Sequence, residues 1–131
     1  MLKFLFIALG GALGSVLRYI VSGLDYKFSF GIFPVSTLVV NLSGSLIIGF
    51  LWGLFERFVI SPGTRMFVFV GILGGFTTFS TFTLENFNLI RDGELKIALI
   101  NVLLSNILGI GFVFLGFIAV SSLLGALKGA V

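Results

Sequence analysis

The chain contains no cysteine and no histidine. Without cysteine it has no disulfide, no thiolate nucleophile and no sulfur ligand for a metal. Without histidine it has no Ser-His-Asp triad, no imidazole proton relay and no His₃ zinc site. Charge is also scarce. Only 10% of the 131 residues are charged, 8 basic and 5 acidic, while 58% are apolar. Soluble domains carry about 25% charged and 45–50% apolar residues, so this chain lacks the polar groups needed to cover a water-facing surface. A net charge of +3, spread along the sequence, makes no nucleic-acid footprint. These shortages argue against most soluble enzymes and against disorder, and no catalytic activity is expected.

What the chain does hold is 18 Gly, 17 Phe and long apolar runs. A membrane span takes about 20 mostly apolar residues. Four such runs are read: Leu2 to Leu24, Pro34 to Leu54, Met66 to Ile90 and Ile97 to Leu124. The breakers between them are Asp25-Tyr26-Lys27 with Gly31, then Ser61-Pro62-Gly63, then Arg91-Asp92-Gly93-Glu94. The first run is too long for a cleaved signal peptide, and it carries Arg18. The expectation is an all-α integral membrane protein, a single four-helix domain over residues 1–131. Glycine pairs four apart (Gly10/Gly14, Gly49/Gly53, Gly71/Gly75, Gly125/Gly129) fit close helix packing.

Orientation signals are nearly balanced. The N-terminal side carries Lys3, Arg57, Arg65 and Lys128, and the other side Lys27, Arg91 and Lys96. The positive-inside rule needs a bias, so the chain either inserts both ways or is tipped weakly by one residue. Dual insertion permits an antiparallel dimer, and four short helices rarely enclose a polar pathway alone.

Polar residues recur inside the spans. Thr37, Asn41 and Ser45 lie four apart on the second, followed by Gly49 and Gly53; Asn101, Ser105 and Gly109 repeat the spacing on the fourth. Such stripes either tie helices together or line a pathway. The third span holds Gly74-Gly75-Phe76-Thr77-Thr78-Phe79-Ser80-Thr81-Phe82-Thr83. Two glycines and a run of hydroxyl residues weaken a helix here. A break would free backbone carbonyls to meet a cation, while the alternative is a kinked helix with hydroxyls bonded back to its own carbonyls. Phe79 and Phe82 share a face. Their positive ring edges would attract an anion without trapping it, or the rings face lipid, as Phe6 and Phe117 are expected to. Glu85 is the one carboxylate within a span, near its end. Arg18 either snorkels to the interface or makes a vestibule electropositive.

The string Gly71-Ile72-Leu73-Gly74-Gly75-Phe76-Thr77-Thr78-Phe79-Ser80-Thr81-Phe82 resembles the third-helix signature of the Fluc/CrcB family of fluoride channels. Thr37-Leu38-Val39-Val40-Asn41-Leu42-Ser43-Gly44 is similar to its second-helix motif, and Gly10-Gly11-Ala12-Leu13-Gly14 with Arg18-Tyr19 to its first. The resemblance implies a broken third helix and an antiparallel dual-topology homodimer with two fluoride pathways in a bacterial or archaeal inner membrane. By position it implies that Phe79 and Phe82 meet fluoride by their ring edges. Asn41 donates an amide, and Ser80, Thr81, Thr37 and Ser105 line the pathway. Arg18 and Glu85 fall in the vestibule. The carbonyls of Gly74 and Thr77, from both copies, hold a structural sodium ion, and Gly75 is expected at the close contact between copies. On the fourth span either Ser105 or Asn106 faces the pathway. The function so implied is passive export of cytoplasmic fluoride. The rivals are a small multidrug-type proton-coupled exporter, which wants a first-span carboxylate that is missing here, and a non-transporting membrane assembly protein.

Overall fold

Four stretches of the chain are helical over lengths that cross a bilayer, as a computed structural model describes for residues 2–23 and 31–129, with side chains to Gly125. The Asp25-Tyr26-Lys27 turn, Leu24 and the Lys128 side chain lie outside the described residues. Helix α1 runs Leu2–Ser22 and α2 Val35–Phe55. The third span is composite: α3 (Pro62–Arg65), a π-helical stretch (Met66–Leu73), α4 (Gly74–Phe76) and α5 (Phe79–Arg91). Helix α6 runs Leu95–Gly129.

The ends follow local chemistry. Ser61-Pro62-Gly63, expected only as a breaker, begins a helix. The Ser61 hydroxyl accepts the Thr64 N–H at 3.1 Å, and Pro62 stands at the first helical position, where its missing N–H costs nothing. At the other end of this span Gly93 turns at φ +88°. Its N–H goes to the Ile90 carbonyl and that of Glu94 to Leu89, which closes α5 and lets α6 start at Leu95.

The four spans pack as two backbone-close pairs. Helix α1 lies on the π-helical stretch and α4, with Gly10 against Phe67 and Gly71, Gly14 against Ile72 and Phe76, and Gly75 against the Gly11 carbonyl. Gly75 thus faces α1 of its own chain. In the second pair Gly49 of α2 meets the Val113 carbonyl of α6, and Gly116 of α6 meets the Leu46 carbonyl. Any side chain at these glycines would drive the backbones apart. Edge-to-face rings join the pairs, with Phe69 against Phe55 at 5.3 Å and Trp52 at 5.6 Å. Most remaining Leu, Ile and Phe side chains point outward, as lipid-facing positions do.

Charge is sorted to the ends. Phe6 of α1 packs on Gly63, and Arg57 reaches from the end of α2 to Ser121 of α6 at 2.7 Å. Arg57 and Arg65 also donate to the Gly53 and Phe55 carbonyls, capping α2. Phe117 is not simply lipid-facing, because it packs on Gly53 beneath the Arg57 guanidinium. The opposite end holds Arg91, paired with Asp92 at 2.9 Å.

Candidate ion pathway

The third span is broken at Thr77 and Thr78, both extended (ψ 157° and 117°). Asn41 of α2 receives the break. Its Nδ2 donates to the Thr78 carbonyl at 3.0 Å, and the Thr78 N–H donates to its Oδ1 at 2.9 Å. The Thr78 hydroxyl caps α5 by accepting the Thr81 N–H. Thr77 donates its hydroxyl back to the Leu73 carbonyl at 2.9 Å, and its methyl fits against Gly44, where a Cβ would collide with it. The two alternatives read from the sequence therefore coexist: the helix breaks, and one hydroxyl bonds back.

The break leaves the last carbonyls before it without their helical donors, those of Gly74 and Thr77 among them. Gly74 would be served by the Thr78 N–H, which goes to Asn41. Thr77 would be served by the Thr81 N–H, which goes to the Thr78 hydroxyl. Gly74 is exposed and Thr77 half-buried. Both border a cavity of about 370 Å³ whose wall also includes Asn41, Ser45, Thr78 and Phe79. The structure so brings together Asn41, Gly74, Thr77 and Phe79. Among the described residues no group of three His, Cys, Asp or Glu side chains gathers to hold a metal ion.

Phe79 and Phe82 occupy the first turn of α5, with ring centroids 5.9 Å apart and planes tilted by 38°. Phe82 is 9% exposed and Phe79 77%. Ser80 and Thr81 lie exposed on the same turn. A single chain thus leaves one ring of the pair and both hydroxyls uncovered.

A second polar cluster lies beyond this turn. The Thr37 hydroxyl donates to Glu85 at 2.6 Å. Next to Glu85, Asn86 is 7% exposed; its Nδ2 donates to the Phe82 carbonyl at 2.7 Å, and its Oδ1 accepts from Asn101 Nδ2 at 3.2 Å. Asn101, 1% exposed, accepts from the Ser105 hydroxyl. Ser105 is therefore the inner residue of α6, whereas Asn106 is exposed and bonded to the Val102 carbonyl of its own helix. Thr37 and Asn41 of one stripe and Asn101 of the other thus make interhelical hydrogen bonds. Arg18 is half-buried on α1 and outside both clusters. Sequence reasoning missed Asn86 and the capping role of Thr78. An amide beside Glu85 in an apolar span was the available signal for the first, and Thr three before Thr81 at a helix start for the second.

Comparisons with known proteins place the sequence in a family. The sequence model of the family described as "CrcB-like protein, Camphor Resistance (CrcB)" matches residues 5–117. The chain is 46% identical over 128 residues to the fluoride-specific ion channel FluC of Parabacteroides distasonis, covering 98% of this chain and all of that one. It is 48% identical over 117 residues to its counterpart from Desulforapulum autotrophicum, covering 88% of this chain and 94% of the other. With that from Aquifex aeolicus it shares 47% over 119 residues, 89% and 95% of the two chains. At these identities, over nearly the whole length of each relative, the chain belongs to the CrcB-like protein family.

Proposed function

We propose that this chain forms a fluoride-selective channel that exports cytoplasmic fluoride passively across the inner membrane, and so reduces fluoride toxicity. The observation that carries this reading is the Phe79–Phe82 ring pair beside the Asn41-capped break, in a chain whose relatives are named fluoride-specific ion channels. Fluoride is small and strongly hydrated, so a selective path must replace its water with several donors at once. The second N–H of the Asn41 amide, the Ser80 and Thr81 hydroxyls and positive ring edges supply such donors without a fixed cation that would hold the ion too long. Thr37 with Glu85, and Ser105 with Asn101, continue the polar lining; Arg18 adds positive potential toward the vestibule.

The channel on this reading is an antiparallel homodimer of dual topology. The exposed Phe79, Ser80 and Thr81 support it, because hydroxyls and an open cavity facing lipid need a cover. A second copy supplies one, and its insertion in the opposite sense is permitted by the near-balanced charge. The Gly74 and Thr77 carbonyls fit a structural sodium ion at the junction, since each has lost its helical donor and two copies bring four oxygens. A proton-coupled multidrug exporter is not supported: α1 carries no Asp or Glu.

The test is anion efflux from liposomes holding purified protein. Fluoride should leave rapidly and chloride far more slowly. Equal rates for the two anions, or no flux, would end the fluoride-channel reading.

A further inference from the structure

The mechanism just proposed depends on where the rings of α5 point, and the structure contains a device that sets this. Phe79 and Phe82 stand on the first turn of α5, directly after a break, so no continuous helix from α4 fixes their rotation. Two constraints from other spans hold that turn: the Asn41 clamp of α2 on Thr78 just before it, and an amide chain from α6 just after it. Asn101 of α6 donates to Asn86 Oδ1, and Asn86 Nδ2 donates to the carbonyl of Phe82 one turn back. Both amides are more than nine-tenths buried. Their alternatives to these bonds would be unsatisfied polar groups at membrane depth. Asn101 is in turn oriented by the Ser105 hydroxyl. A shift of α6 along or around its axis is transmitted through two hydrogen bonds to the backbone that carries Phe82, and to Phe79 packed beside it at 5.9 Å.

We propose that Asn86 is a positioning residue of the ion pathway, holding the ring-bearing first turn of α5 in register with α6 through its bonds to Phe82 and Asn101. It touches no ion itself; it fixes the edges that do. This inference rests on the fluoride-channel reading.

The test separates positioning from mere stability. Removing one amide would leave the other buried and unpaired. Replacing both by leucine removes the polar groups together, which can be nearly neutral for folding. The double variant Asn86→Leu/Asn101→Leu is therefore reconstituted in planar bilayers beside the unmodified protein. Its dimer mass and melting temperature are measured in detergent. The expected result is a dimer of near-normal melting temperature with unitary fluoride current reduced at least tenfold. Unitary current equal to that of the unmodified protein, in a folded dimer, would overturn the inference, because a structural role alone alters the number of channels and not the current through each. If the double variant does not assemble, Asn101→Ala cuts the same link from α6 while leaving the Asn86–Phe82 bond, and the same two outcomes decide. An unmodified protein that carries no fluoride current would instead refute the channel reading beneath it.

Discussion

The Asn41 side chain completes the backbone of Thr78, donating to its carbonyl at 3.0 Å and accepting from its N–H at 2.9 Å. One amide on α2 thereby replaces the hydrogen bond that the Thr78 N–H forgoes where the helix breaks, and adds a second to the carbonyl that begins α5. This explains how an extended segment persists at membrane depth, where unpaired peptide groups cost several kcal/mol each. Asn41→Leu removes both bonds with little change of volume. We expect a loss of about 1–3 kcal/mol in stability, chiefly from the Thr78 N–H left unsatisfied, and fluoride flux reduced at least tenfold. Detergent melting curves and liposome efflux report the two effects, and unchanged melting would contradict the clamp.

The glycine contacts divide into two predictions of opposite sign. Gly49→Val forces a side chain into the Val113 carbonyl, and Gly75→Val into that of Gly11. Both should abolish folded protein by splitting helix pairs within one chain, rather than yield intact monomers. Gly111 has open space where its Cβ would lie, so Gly111→Ala should stabilise by about 0.5–1 kcal/mol through lost unfolded-state entropy. Size-exclusion profiles and melting temperatures distinguish these outcomes.

Much of this was legible in the sequence, and the exceptions have physical causes. Four spans, a broken third and the ring pair follow from apolar length, the Gly74-Gly75 doublet and the three-residue spacing of Phe79 and Phe82. The start of α3 is not legible in this way, because Ser-Pro-Gly reads as a turn while the same Ser and Pro also cap and begin a helix. A small residue such as Gly75 marks a close approach without naming the partner; only the fold puts α1 there. Asn86 escaped because no spacing rule joins it to Asn101, which it meets only through the packing of α5 on α6.

Orientation offers a test independent of the site. Lys3, Arg57 and Arg65 lie on one side of the bundle and Arg91 and Lys96 on the other, which leaves little bias to read. Reporters fused to the C-terminus should be found on both sides of the membrane. Two lysines added to the Pro62 loop or to the Asp92 loop should each drive a single orientation, in opposite senses. Unmodified protein reporting one side only would exclude dual insertion.

The carbonyls of Gly74 and Thr77 make a cation prediction. Dimers purified in sodium should melt at a higher temperature than dimers exchanged into a bulky organic cation, and restoring sodium should reverse the loss. Identical melting curves in the two salts would contradict a bound structural ion.

The central claim is that the ring edges of Phe79 and Phe82 carry the ion. Phe79→Ile and Phe82→Ile keep apolar bulk and remove the edge. An aromatic edge contact is worth about 1 kcal/mol, and 1.4 kcal/mol in a barrier is about tenfold in rate. The decisive measurement is fluoride efflux from liposomes at matched density of folded dimer, with the outward-facing Phe4→Ile and Phe114→Ile as controls. The account predicts that efflux through each of the two α5 variants falls tenfold or more, while both controls keep near-normal rates. Near-normal efflux through both α5 variants would contradict it and leave the rings as packing alone.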